Sequence, residues 1–427
     1  MSASSGFASR GGRALRRRNF RLFFAGQLVS VTGTWIQQVA QGWLVLELTD
    51  DPFMLGLVAA AQFSPVVILG LIGGLLADNL SKRTVLVVAQ VVQMGLAVVL
   101  FALTQAGQVQ IWQVIALAAL LGTTQAIEWP ARHSFIVELV GRDDLVNAIG
   151  INSATFNLAR MVGPAAAGLI IAVAGIPLTF LVNAITYLPV ILALLAIRDA
   201  ELFRPPVQAR PASLGEVRRA LADGPRFVAR EPMVRMAIVV LGVVATFGMN
   251  FPVTIPPLAR DVLGLDATGF GFLMAASGAG SLGAAMAVIF ARRIEPRMVA
   301  LAALVLGLAT VVLAVSRSFP VSIVAMTVAG AGAIGMAATG NTFIQLAVPD
   351  ALRGRVMSVW TMVFSASVPI GGLVMGAIAA RAGVALALGI GGVVSTAAAV
   401  IALAWYRQRS DGRGQQVQPP TAGRRGD

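Results

Sequence analysis

Long apolar runs recur about a dozen times between Leu22 and Trp405, and most of the connections between them are too short to fold in water. Each run approaches the ~20 residues an α-helix needs to cross ~30 Å of hydrocarbon. In lipid every backbone N–H and C=O must be paired within its own segment, which leaves helices as the reading for runs of this length. Charged residues make up 12% of the 427, where a soluble domain carries about 25%. The chain therefore reads as an all-α polytopic membrane protein.

The runs group as six, a polar linker and six. A basic tail covers 1–21, a first six-helix bundle 22–197, a linker 198–232, a second bundle 233–406 and a polar tail 407–427. In the first bundle the fifth and sixth spans are expected at Asn147–Ala174 and Pro177–Ile197; the seventh span is expected at Val234–Leu258. The Arg- and Pro-rich linker has room for a surface helix from Ser213 to Arg230 but not for a catalytic domain. A constant shift of 208 positions pairs Phe135 with Phe343, Phe156 with Phe364, Gly163 with Gly371 and Gly168 with Gly376. That register holds across a loop and a helix, as in duplicated transporter halves with a site near the midplane between them.

Net charge is +13, with 32 basic and 19 acidic residues. Most basic residues precede the first span, fall in every second loop (among them Lys82, Arg83, Arg132, Arg142, Arg353 and Arg355) or lie in the tail, and the intervening loops contribute only Arg260, Arg317 and Arg381. By the positive-inside rule both termini are cytoplasmic. The excess sets topology and attracts anionic lipid; with no folded basic surface, a nucleic-acid partner is not expected. Cysteine is absent and His133 is the only histidine, so no thiolate or His-cluster metal site is expected. Lys82 is the only lysine and belongs to no phosphate-binding loop, which argues against ATP hydrolysis. The first apolar run, Leu22 to Leu48, is too long and too rich in glutamine for a cleaved signal.

Between the second and third spans lies Gly74-Leu-Leu-Ala-Asp78-Asn-Leu-Ser-Lys82-Arg83. This resembles the loop signature of the major facilitator superfamily, departing from it at Asn79 and Ser81. The resemblance implies twelve transmembrane helices in two pseudo-symmetric six-helix bundles. It also implies a cytoplasmic gate in which Gly74, Asp78, Lys82 and Arg83 act together near the start of the eleventh helix. In the fifth span Gly150, Ala159, Gly163, Pro164, Ala167 and Gly168 partly match a pattern carried there by the superfamily's drug/proton antiporters, with Gly163 and Pro164 in a gating role; ordinary small-residue packing explains them equally well. The opening RNFRLFFAGQLVSVTGTWIQQ and the stretch FNLARMVGP resemble the enterobactin-exporter-like and macrolide-efflux-like secretion branch. That branch implies a multi-pass protein of the bacterial cytoplasmic membrane, working as a monomer without cofactor, that exports a small amphipathic molecule.

The chemistry-bearing side chains are few. Arg160 lies about 20 Å into the fifth span, near mid-bilayer. There it faces either a cavity, where it attracts an anionic or polar group of the cargo, or a fixed structural partner. Gln27, Thr34, Gln38 and Gln41 form one helical stripe on the first span, and Thr246, Asn250 and Thr254 a similar stripe on the seventh. These stripes either line a cavity or bond between helices. Trp35, Phe156 and Asn157 complete the expected cargo face, although for Trp35 or Phe156 taken alone packing is the better explanation. Pro252, Pro256 and Pro257 interrupt the seventh span and point to an outer gate. For proton coupling the candidate is Glu128, whose alternative is a charge pair with Arg83 or Arg132. Two G-x-G-x-x-G matches, at Gly278–Gly283 and Gly330–Gly335, lie inside apolar spans and read as packing surfaces. An importer or facilitator of a small polar nutrient is the nearest alternative function; an embedded enzyme lacks clustered acids, bases or ligands.

Overall fold

A computed structural model describes residues 13–203, 214–291 and 293–415, the side chains of 71–79, 214–221, 351 and 410–415 excepted. Among the described residues there is no strand, and ten helical stretches are long and apolar enough to cross a membrane. The first part of the chain gives α1 (Arg18–Thr49), α2 (Pro52–Asn79), α3 (Lys82–Gln105), α4 (Ile111–Val140) and α5 (Leu145–Leu195). The surface helix α6 (Leu214–Arg230) follows, within a residue of its expected limits. Then come α7 (Pro232–Phe247), α8 (Phe251–Pro257), α9 (Ala267–Phe290), α10 (Pro296–Val315), α11 (Phe319–Ala347), α12 (Asp350–Ala382) and α13 (Val384–Gln415). The 32-residue α1 lies outside the ten, its four glutamines diluting an otherwise apolar helix.

The 51-residue α5 is two arms joined at Gly175, whose φ of 80° an L side chain rarely adopts. On the first arm, Asn147 accepts a hydrogen bond from the Ala14 N–H and Gly163 lies against Trp35. On the second, Asn183 sits beside Gly33 and Val190 beside Gly26. The first arm therefore runs parallel to α1 and the second runs back along it, so the two spans expected from sequence are present with their turn between Ala174 and Pro177. The expected seventh span, by contrast, is not one helix. It stops at Phe247, resumes as α8 and ends in a π-turn at Leu258–Val262, because Pro252, Pro256 and Pro257 withhold the N–H groups a continuous helix needs.

Two seams join early helices to late ones: α2 against α12, and the first arm of α5 against α9. Both depend on glycine. A methyl group at Gly56 would collide with the Gly372 carbonyl oxygen, and one at Gly271 would lie 2.5 Å from the Pro164 carbonyl oxygen. Pro164 and Gly372 are 208 positions apart, Gly56 and Gly271 are 215 apart, so the second contact is the first with the partners exchanged. The same relation links the helix starts. Asp51 accepts from the Phe53 N–H at 2.8 Å, and Asp266 from the Gly269 N–H at 3.0 Å.

The seams are tight along only part of their length. Gly168 packs on Thr268, and a methyl group at Gly278 would lie 2.6 Å from the Arg160 carbonyl oxygen. Farther along the same helices Gly150 and Gly283 meet nothing, nor do Gly70 and Gly354 along the other pair. Large side chains in those stretches are bare: Ile149, Met286, Ile289, Ile68 and Met362 are all exposed. The interior is thus a cleft, shut at the end carrying Asp50 and open at the end carrying Arg83. Of the two glycine-rich matches, Gly278, Gly280, Gly330 and Gly332 are buried in helix packing, with Ser281 Oγ donating to the Gly330 carbonyl at 3.1 Å, while Gly283 lies in the open stretch.

Candidate functional site

At the shut end, Arg260 in the π-turn donates to the Asp50 carboxylate and, at 3.2 Å, to the Leu46 carbonyl at the end of α1. Beneath it Trp43 stacks on Phe270 with ring centroids 6.0 Å apart. These contacts tie α1 to the segment after α8 and to α9. Sequence reading marked the prolines here but not Arg260 or Asp50, which are ordinary loop charges until the fold brings them together.

At the apex of the cleft stands Arg160, fifteen residues into α5 and so ~22 Å from its start. Its guanidinium lies 5.6 Å from the Trp35 ring centroid, and Trp35 meets Phe156 edge to face, again at 5.6 Å. Phe156 is 48% exposed. Among the described residues Arg160 has no ion pair and no side-chain hydrogen bond. A central Arg costs about 2.5–3.5 kcal/mol on insertion scales, and a cation–π contact returns about 0.5–2 kcal/mol. The remainder calls for water or an anion in the cleft. Gln38 and Gln41 on α1 are half-buried, with no described side-chain hydrogen bond, so both amides remain available. Thr34 donates to the Ser30 carbonyl at 3.0 Å. Gln27 is buried with Nε2 unpartnered, and Asn157 is buried with Oδ1 unpartnered while its Nδ2 donates to the Ser153 carbonyl at 2.9 Å.

Glu128 occupies a different setting. Gln90 Nε2 donates to its Oε1 and Gln93 Nε2 to its Oε2, both at 2.8 Å, and Arg132 Nη2 also reaches Oε1. Ser30 Oγ donates to Gln90 Oε1 at 3.3 Å, which orients that amide towards the carboxylate. The carboxylate is fully buried and its described side-chain partners, which form a cage around it, are all donors. Pairing with Arg132, one of the two charge partners considered from sequence, is therefore realised; Arg83 is engaged elsewhere. Gln90 and Gln93 went unnoticed in the sequence, although two amides three residues apart in an otherwise apolar span were a usable signal.

The basic loop is tied down locally. Lys82 pairs with Glu138 at 2.8 Å, and Arg83 donates to the Leu194 and Leu195 carbonyls and to Asp199. Arg83 thereby caps the end of α5, where carbonyls lack helical partners. The expected gate residues Gly74 and Asp78 lie outside the residues whose side chains are described. A methyl group at Gly163 would lie 2.5 Å from Trp35 Cβ, and Pro164 supplies the carbonyl at the α9 seam. On the late half, Asn250 is buried and caps the break after α7, its Nδ2 donating to the Thr246 carbonyl at 2.6 Å. With that break the stripe of Thr246, Asn250 and Thr254 is not one continuous helical face.

A helix-only membrane chain with exchanged seams, a cleft shut at one end and a single unpaired cation at the apex has the build of a transporter. Solved structures agree on the fold: the nucleoside transporter NupG superposes with a TM-score of 0.71 at 14% identity, over 92% of this chain and 99% of that one. A family model described as transmembrane secretion effector matches residues 11–417. The multidrug efflux pump Tap of Mycobacterium tuberculosis is 32% identical over 374 residues, covering 85% of this chain and 87% of that protein. The enterobactin exporter of Escherichia coli is 26% identical over 361 residues, covering 80% of each. The chain belongs to the transmembrane secretion effector family of the major facilitator superfamily, a family of multi-pass transporters.

Proposed function

We propose that the chain is a proton-coupled exporter of a small amphipathic molecule, working by alternating access as a monomer in the bacterial cytoplasmic membrane. In this reading twelve crossings form two six-helix bundles, 22–197 and 233–406, joined by the linker, with both termini cytoplasmic. The open end of the cleft then faces the cytoplasm, in keeping with the arginines at that end, and the Asp50–Arg260 end faces out. Cargo enters from inside and meets Gln27, Thr34, Trp35, Gln38, Gln41, Phe156, Asn157 and Arg160, with Asn250 across the cleft. Gly163 and Pro164 form a fulcrum at the α9 seam. Gly74, Asp78, Lys82 and Arg83 close the inner side in the opposite state.

Proton entry is assigned to Glu128, the one carboxylate in the interior of a span; the other acids fall at helix ends or in connections. Three donors hold its carboxylate in this inward-open arrangement. Taking a proton requires α3 or α4 to shift so that a donor withdraws. The observation that carries the reading is the cleft itself, shut by pseudo-symmetric seams above and open below a buried cation. The test is transport into inverted membrane vesicles under an imposed pH gradient. Gradient-driven uptake is expected in the wild type, loss of the gradient's effect in Glu128→Gln, and loss of cargo uptake in Arg160→Ala. Uptake indifferent to the gradient removes proton coupling; absence of directed uptake removes export.

A further inference from the structure

The ligand chemistry of the cleft apex is legible in what surrounds Arg160. A guanidinium is a planar fork of five N–H donors matched to a carboxylate or similar oxyanion. Here its described contact is the face of Trp35, which takes none of those donors. The competing acid is out of play: Glu128 already holds three donors. The late half offers no substitute, since its acidic residues from 233 to 406 are Asp261, Asp266, Glu295 and Asp350, all at helix ends or in connections. Each has its own partner: Asp261 pairs with Arg260, Asp266 caps α9, Glu295 pairs with Arg297 and Asp350 with Arg353. Among the described residues the positive charge at the apex is therefore uncompensated.

Beside that charge lies a ring surface. Trp35 and Phe156 meet edge to face, leaving half of Phe156 bare, and the Gln38 and Gln41 amides on the same helix as Trp35 have donors to spare. We infer that the apex is a binding site for a planar organic anion, its carboxylate or equivalent oxyanion bound by Arg160 and its ring packed on Phe156 and Trp35. A bidentate oxyanion supplies the acceptors the fork lacks, and a flat ring fits the edge-to-face aromatic pair. An organic cation of the same shape is repelled. The site lies where the α5–α9 seam becomes tight, with Gly278 on the Arg160 backbone, so a bound anion sits at the floor of the cleft and not at its mouth.

This inference rests on the transporter reading for its biological meaning, but its test does not need transport. The purified full chain in lipid nanodiscs is titrated calorimetrically with 2-naphthoate, 2-naphthylmethanol and 2-naphthylmethylammonium, which share a ring and differ in charge. The anion is expected to bind at least tenfold more tightly than the cation, with the alcohol between. Arg160→Gln should erase the anion's advantage and leave the alcohol's affinity within about twofold. Arg160→Lys should keep part of that advantage, since it retains charge without the fork. Phe156→Ala should weaken all three together, which guards against Arg160→Gln failing to fold. Equal or tighter cation binding, no anion binding to folded wild type, or an anion preference that survives Arg160→Gln each overturns the proposal. Anion binding in a protein without gradient-driven flux would keep this site and sink the exporter reading; gradient-driven flux with no anion preference would do the reverse.

Discussion

The two parts of the chain share their seams but not their interiors. Before the linker, the buried polar residues include Gln27, Gln37, Gln90, Gln93, Gln125, Glu128, Asn157 and Asn183, and many of them bond between helices. Gln37 accepts from Asn183 Nδ2 at 2.6 Å, for example, and the Glu128 cage joins α3 to α4, with Ser30 tying α1 to it. After the linker the buried polar residues are mostly serines and threonines, such as Thr310, Thr339 and Ser395. Thr310 donates to the Leu306 carbonyl and Ser395 to the Gly391 carbonyl, each within its own helix. The surfaces where the parts meet correspond, and the interiors do not. The chemistry has collected in the first part, and the second acts as an apolar counterface.

The asymmetry can be broken most forcefully at Arg132. Removing it strands the buried Glu128 charge, and Arg132→Leu should lower stability by about 3–5 kcal/mol, read as thermal unfolding of the purified protein; Glu128→Gln in the same chain should recover much of the loss. A smaller effect is expected at Gln93→Leu, about 1.5–3 kcal/mol for one hydrogen bond to a charged group. Under the proposed coupling through Glu128, that variant should also weaken the dependence of transport on an imposed pH gradient, because Gln93 no longer holds the carboxylate in place. An unchanged dependence would assign Gln93 to packing alone.

The shared seams yield a matched pair of predictions. Gly56→Ala and Gly271→Ala each place a methyl group against a carbonyl of the opposite helix, so each should cost about 1–3 kcal/mol. The two values should agree within about 1 kcal/mol if the seams are equivalent; a large disparity would show that one seam bears the packing. The smallest effect belongs to the counterface. Thr310→Val removes both partners' demand only in part, since the Leu306 carbonyl keeps its helical N–H, and about 0.5–1 kcal/mol is expected.

Much of this was legible in the sequence, and the reasons differ from residue to residue. The spans follow from hydropathy and length, and Gly175 falls in the short gap left between Ala174 and Pro177. The 208-residue shift foretold the correspondence of Pro164 with Gly372, because these seam residues sit in the segment where the register was unbroken. It did not foretell the 215-residue relation of Gly56 with Gly271, where connections of different length intervene. Arg160 was conspicuous because a cation within an apolar run needs an explanation. The Glu128 cage and the Arg260–Asp50 contact were not visible, since periodicity identifies one helix's face but not the face it meets. The break after Phe247 was half visible, its prolines apparent but the role of Asn250 as a cap hidden.

One small feature bears on how the shut end comes apart. The Leu46 carbonyl that Arg260 reaches also accepts the Asp50 N–H at 3.0 Å, the Asp50 side chain is 84% exposed, and Arg260 has a second carboxylate in Asp261. If the helices part here, no backbone group is orphaned, the loosened acid is already wetted, and the arginine keeps a companion. Under the proposed alternating access, such a clasp could be unfastened and refastened with little penalty in either direction, which is what a door needs when the current through it depends on how often it swings.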